Sequence, residues 1–200
     1  MSELNTMPSS ESTRQPLHTR QVTCTGYLRD DGLIDIDGYL LDTKHHDHDA
    51  HYKVIAAGTP VHQMHLRLTT DLQFVIHDVH AQTLDAPTPS CAQITEAYKR
   101  LIGLKVGPGF KKQVALRVGG TQGCTHLTEL LGPMATTLYQ STFDLIWDAE
   151  RKRAASELGY VMPRPWVIGT CHVYHPEGEA VRNRWPDDAQ TPVKVIDPTV

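Results

Sequence analysis

Residues 119–149 read GGTQGCTHLTELLGPMATTLYQSTFDLIWDA. Leu127, Leu130, Leu131, Met134, Leu138, Leu145, Ile146 and Ala149 recur at spacings of three and four, which places them on one face of an α-helix. The stripe has a gap near Thr142. Gly119, Gly120 and Gly123 precede it, and Pro133 predicts a kink because proline has no N–H for the helical ladder. An apolar stripe this long needs a partner layer, and the residues upstream supply one.

From residue 21 onward the apolar period is two. Val22, Tyr27 and Leu28 precede RDDG, and Leu33, Ile34, Ile36, Tyr39, Leu40 and Leu41 follow it, with Asp31-Gly32 as the hairpin turn. A second hairpin sets His62, Met64, Leu66 and Leu68 on one strand face. Gln73, Val75, His77 and Val79, with their even-numbered neighbours, form its returning strand. Residues 45–53, HHDHDAHYK, are expected as a loop between the hairpins. After DAPTPS at 85–90, Ile94, Ala97, Tyr98, Leu101 and Ile102 predict a helix ending at Gly103, and a segment with Phe110, Val114, Leu116 and Val118 leads to the glycines.

The expected fold class is α+β, a four-stranded antiparallel sheet followed by helices packed on one face, within residues 20–158. Residues 1–19 are rich in Ser, Thr and Pro and are expected as a disordered tail. Residues 159–200, punctuated by Pro163, Pro165, Pro176, Pro186, Pro192 and Pro198, are expected as an irregular C-terminal arm with one strand near Val167 to Tyr174.

With 200 residues, 40% of them apolar, the chain suffices for one sizeable core. A net charge of -4 without any block of Lys and Arg argues against a nucleic-acid partner. No apolar run approaches the ~20 residues of a membrane span, and the N-terminus lacks the layout of a signal peptide. A soluble, cytoplasmic protein is expected, with a homo-oligomer left open. Cys24, Cys91, Cys124 and Cys171 are scattered without a CxxC pair and are expected as free thiols. Neither GxGxxG after a strand nor GxxxxGK[ST] is present, so no nucleotide cradle is expected. No cofactor and no specific metal centre are predicted. The histidine-rich run at 45–53 has metal-ligating side chains but sits on a loop, which suits opportunistic binding.

Candidate site residues gather at the start of the long helix. Unpaired N–H groups there favour a Cys124 thiolate or a bound anion, although a small buried cysteine is the plainer reading. His126 lies in the first turn, off the leucine stripe. Its cation is disfavoured by the helix N-terminus, and Glu129 three residues on is placed to orient it. His62 points from a strand start toward the layer between sheet and helices, as a core histidine or a base. His65 and Arg67 alternate to the other face, where Arg67 is either an anion contact or a solvated charge. Tyr27, Arg29, Asp30 and Asp31 at the hairpin tip are either substrate contacts or turn chemistry.

GYLRDDGLIDIDG at 26–38, DTK at 42–44, GTPVHQMHLRLT at 58–69 and GCTHLTELLGPMATT at 123–137 closely resemble a bacterial family known as domain of unknown function 2889. The likeness covers roughly residues 20–158 and extends weakly to CHVYHPEGEAVRNRWP at 171–186. The element order also resembles the NifU and SufE iron–sulfur scaffold fold. There a cysteine opens the last long helix, as Cys124 does here, whereas Pro60 and His62 stand near where scaffold ligands would be. The family resemblance implies a phenolic, lignin-derived substrate and a lyase step. The expected function is a cofactor-independent lyase of aromatic catabolism using histidine acid–base chemistry, possible substrates including a hydroxymethyl side chain that leaves as formaldehyde. The alternative is a metal or iron–sulfur accessory protein.

Overall fold

The computed structural model describes residues 12–186. Two compact units divide the chain, one up to Asp144 and one from Leu145 onward. The first unit holds a four-stranded sheet of β1 (His18–Leu28), β2 (Ile34–Lys44), β5 (Pro60–Thr70) and β6 (Ile76–Asp85), all pairs antiparallel, in the order β1-β2-β5-β6. β3 (His48–Asp49), inside the segment expected to be loop, pairs with β4 (Val54–Ile55), just after that segment, as a small ladder. His18 and Thr19, assigned by composition to the tail, open β1 because their backbones pair with Lys44 and Thr43. The remainder of that predicted tail before residue 12, and the arm after residue 186, lie outside the described residues.

Alternation along β2 and β5 builds the core. Ile34, Ile36, Leu40, Met64, Leu66 and Leu68 are buried on one face, and Leu127, Leu130, Met134 and Leu138 of the long helix are buried as well. Each such side chain removed from water contributes ~1.5–3 kcal/mol before entropy is counted. A Cβ at Gly38 would fall on the side chain of Met134, so glycine on β2 lets sheet and helix approach closely.

The returning strand starts later than its alternation predicts. The Asp71 carboxylate accepts the N–H groups of Gln73 and Val75, and Phe74 has φ 67, so these residues form the turn. An irregularity between Thr69 and Thr70 then places both Ile76 and Val79 in the core.

Between the sheet and the long helix, Pro89–Leu101 is a 3-10 helix rather than the expected α-helix. Its buried residues Tyr98 and Leu101 are three apart, the repeat at which side chains eclipse in that geometry. Ile102 is exposed because the chain turns at Gly103, φ 81. α1 (Phe110–Val118) buries Phe110, Val114 and Val118, one side chain per turn. α2 (Thr125–Ser156) contains Pro133 without ending there. The gap in its stripe is filled by Thr142, fully buried with its hydroxyl donating to the Leu138 carbonyl at 2.7 Å.

After the end of α2, the described residues 159–186 hold one short helix, and Val167 to Tyr174, where a strand was expected, is a run of turns. Gly169 has φ 86 and donates to the Tyr174 carbonyl at 2.7 Å, which folds the segment back on itself. A short helix, α3 (Glu179–Arg184), follows. Among the described residues no helix is long and apolar enough to cross a membrane.

Candidate active site

Antiparallel register places Arg20 opposite Asp42 and Asp42 opposite His62, a row across β1, β2 and β5. All three share parity with the core-facing residues of their strands. The side chains therefore point to the helix-covered face. The fourth member, His126, comes from the first turn of α2. Its position is set by Tyr98, whose buried phenol oxygen accepts the Cys124 N–H at 3.0 Å and lies 2.7 Å from both the Cys124 carbonyl and Thr128 Oγ1. Gly123 contributes too, because a Cβ there would meet the Val118 carbonyl.

Asp42 is the hub, with its side chain 1% exposed. Arg20 donates Nε to Oδ1 and Nη2 to Oδ2, both at 2.8 Å, as a bidentate fork. His18 Nε2 donates to Oδ1 at 3.2 Å and His62 Nδ1 to Oδ2 at 3.1 Å. Burial alone would raise the Asp42 pKa. The Arg20 hydrogen bonds and charge, with those of His18, outweigh burial and hold the carboxyl below its ordinary range. It is ionised at neutral pH.

The His62 and His126 rings stack, with centroids 3.7 Å apart and planes at 28°. His126 Nε2 lies 3.8 Å from Asp42 Oδ2, and its Nδ1 lies 3.9 Å from Cys124 Sγ. Both imidazoles are held below the ordinary histidine pKa. For His62 burial is the main cause, followed by repulsion from His126; for His126 it is burial followed by the charge of Arg20. Desolvation thus keeps His126 neutral where the sequence had suggested the helix N-terminus. Glu129 does not orient His126 through a hydrogen bond either: it accepts from Arg20 Nη1.

Asp42 fixes the Nδ1–H tautomer of His62, so the Nε2 lone pair is the one able to accept a proton. The parallel neighbour disfavours a second cation, and the two rings therefore share at most one added proton readily. Among the described residues one group has the spacing of metal ligands, and it is this one: Asp42, His62 and His126. The histidines of residues 45–53 are not in it. All four cysteines are free.

Comparison with known proteins adds the family. The model described as protein of unknown function (DUF2889) matches residues 18–140. The chain belongs to the DUF2889 family. That match contains the whole row from His18 to His62, together with Cys124, His126 and Glu129. No curated protein and no solved structure matches, so the likeness to the NifU and SufE scaffolds has no counterpart among these findings.

Within the DUF2889 region the other predicted residues lie elsewhere. Arg67 grips Asp37 through Nε at 2.6 Å and Nη2 at 2.9 Å, and His65 Nε2 is 3.7 Å from the same carboxylate. Arg29 pairs with Asp31 at 2.6 Å and reaches Asp35 at 3.5 Å, while Tyr27 stands opposite Asp35. These groups occupy the other face of the sheet or its hairpin tip, apart from the histidine pair, and Asp30 sits exposed in the turn. A largely apolar cavity of about 850 Å³ runs between α1 and α2, lined by Phe110, Val114, Leu131 and Tyr139, with Thr125 and Glu129 at the end shared with the first turn of α2. Neither histidine lines it.

Sequence reasoning missed Asp42, Arg20 and His18. A signal existed: Asp42 shares parity with Ile34, Ile36 and Leu40, and an acid on the core-facing side of a strand requires partners.

Proposed function

We propose that this chain is a cytoplasmic small-molecule lyase of aromatic catabolism in which Asp42, His62 and His126 move a proton without a cofactor. One observation carries the reading: two neutral, stacked imidazoles lie over a buried, ionised carboxylate that orients one of them. Burial that lowers a histidine pKa leaves a free base available at neutral pH, which general-base catalysis needs. The substrate class, a lignin-derived phenol bearing a hydroxymethyl group, rests on the family resemblance. The apolar cavity between α1 and α2, which the histidines do not line, has Thr125, the neighbour of His126 in sequence, in its wall and is large enough for an aromatic ring.

In the reaction His62 Nε2 accepts the hydroxyl proton of the side chain. The carbon–carbon bond breaks, formaldehyde leaves with its carbonyl, and the bond's electron pair passes to the ring-conjugated carbon. That carbon recovers the proton from the imidazolium, so atoms and charge balance. Asp42 stabilises the transient cation, and Arg20 and His18 hold Asp42 in place. The iron–sulfur form of the accessory-protein alternative calls for cysteine ligands, and among the described residues the group with ligand spacing contains none.

The test is formaldehyde release from a panel of hydroxymethyl phenols by chelator-treated protein. Release is expected from the wild type, and a rate at least ~100-fold lower from His62→Ala. Equal rates from the two proteins would overturn the acid–base reading.

A further inference from the structure

Asp42, His62 and His126 each bring one ligand atom to a common region, all within 4.8 Å of one another. The vertex is Asp42 Oδ2, 3.1 Å from His62 Nδ1 and 3.8 Å from His126 Nε2. Tetrahedral ligands at ~2.1 Å from an ion stand roughly 3.4 Å apart, a value these two separations bracket, and the two imidazoles, stacked with centroids 3.7 Å apart, have to turn for both in-plane lone pairs to meet one ion. The three side chains come from β2, β5 and the start of α2, so the packed core sets their spacing rather than a loop. Two imidazoles and one carboxylate suit zinc and iron; calcium and magnesium sites are built from oxygen.

The surroundings have the form of a supported metal site. Asp42 Oδ1 is held by Arg20 Nε and His18 Nε2, which fixes the carboxylate plane and leaves Oδ2 toward the histidines. The remaining ring nitrogen of His126 faces Cys124 Sγ at 3.9 Å. Arg20 also donates to Oδ2, and its charge opposes a cation, but Glu129 pairs with Arg20 and leaves the Asp42 charge to be balanced.

We propose that Asp42, His62 and His126 bind one divalent transition-metal ion per chain, of the zinc and ferrous class, with the ion replacing the proton between His62 Nδ1 and Asp42 Oδ2. The ion and the acid–base role proposed above draw on the same side chains. They are alternative states of one centre, and zinc is expected to stop the proton-transfer reaction.

The experiment is titration of the full chain with Co²⁺, followed by its visible absorption, and with Zn²⁺ by calorimetry. It is run in a background where His45, His46, His48 and His51 are replaced by Asn, to remove adventitious sites. One tight ion per chain is expected in wild type and background alike. Adding His126→Ala or His62→Ala should weaken it by more than the ~10–100-fold that loss of a supporting residue costs, with circular dichroism checking the fold. The proposal is overturned if the background loses the tight ion, or if the histidine variants bind as tightly as the background. Activity separates the two readings. Binding with loss of formaldehyde release supports both, and binding with a gain supports the metal site and sinks the acid–base reading. A chain that binds no ion yet needs His62 for release overturns the metal site alone.

Discussion

The sheet carries the same device twice, once on each face. Arg20 grips Asp42 and Arg67 grips Asp37, each through Nε and Nη2 to the two carboxylate oxygens, and each acid has a histidine nearby. They differ in burial: the Asp42 side chain is 1% exposed and that of Asp37 21%, beside an Arg67 that is 45% exposed. Water screens the outer pair and supplies alternative hydrogen bonds, so its loss is tolerable. The inner carboxylate has no such alternative, and the side chains around it are fixed by its demand for partners. Burial, rather than the pairing motif, makes one of them a candidate active site.

Removing each acid should expose that difference most strongly. Asp42→Ala leaves His18 and His62 without their acceptor and Arg20 with Glu129 alone. Because Arg20 is itself partly exposed, the expected cost is the low end of the ~3–5 kcal/mol for a broken buried pair, whereas Asp37→Ala should cost within ~1 kcal/mol. Urea unfolding of the two variants measures both. Equal losses would mean that the faces are not electrostatically distinct.

The pH dependence of stability sharpens the same contrast. His62 and His126 have folded pKa values below the ordinary ~6.5, so the unfolded chain binds protons more readily than the folded one as pH falls through that range. Their contribution is present above ~6.5 and is lost progressively toward the lowered folded values. Asp42, also lowered, gives up its contribution only further down, below the ordinary carboxylate range. Urea midpoints are therefore expected to drop between pH 7.5 and 5.5 in the wild type and to stay flatter in a His62→Ala, His126→Ala double variant. A wild type flat over that interval would show that the imidazoles are not held neutral by burial.

A smaller effect is expected from Arg20→Gln. Losing the guanidinium charge makes the His126 and His62 cations easier to form, so the acid limb of the rate profile should move to higher pH, while Arg67→Gln leaves it in place. An unmoved limb in Arg20→Gln would separate Arg20 from the proton chemistry.

How much of this was legible in the sequence depends on which interactions are local. Strands β2 and β5 and helix α2 were readable because their apolar periods are long and regular, and β1 from the Asp31-Gly32 hairpin turn that pairs it with β2. The start of β6 was not, because Asp71 capping a turn and a bulge at Thr69–Thr70 are decided by cross-strand fit. His62 and His126 were readable as candidates, each from its own element. The acid joining them was not, since Asp42 acquires its role from the register that sets it between Arg20 and His62. Glu129 was assigned by helical spacing to His126, yet it pairs with Arg20 from β1, a contact no local rule contains.

The most direct test sets the two faces against each other in one assay, formaldehyde release by His62→Ala, His126→Ala, His65→Ala and Arg67→Ala at matched folding. Rates at least ~100-fold down for the first two, and within a few-fold of wild type for the last two, are expected. Loss confined to His65→Ala and Arg67→Ala, with the stacked pair dispensable, would place the chemistry on the open face and contradict the centre at Asp42.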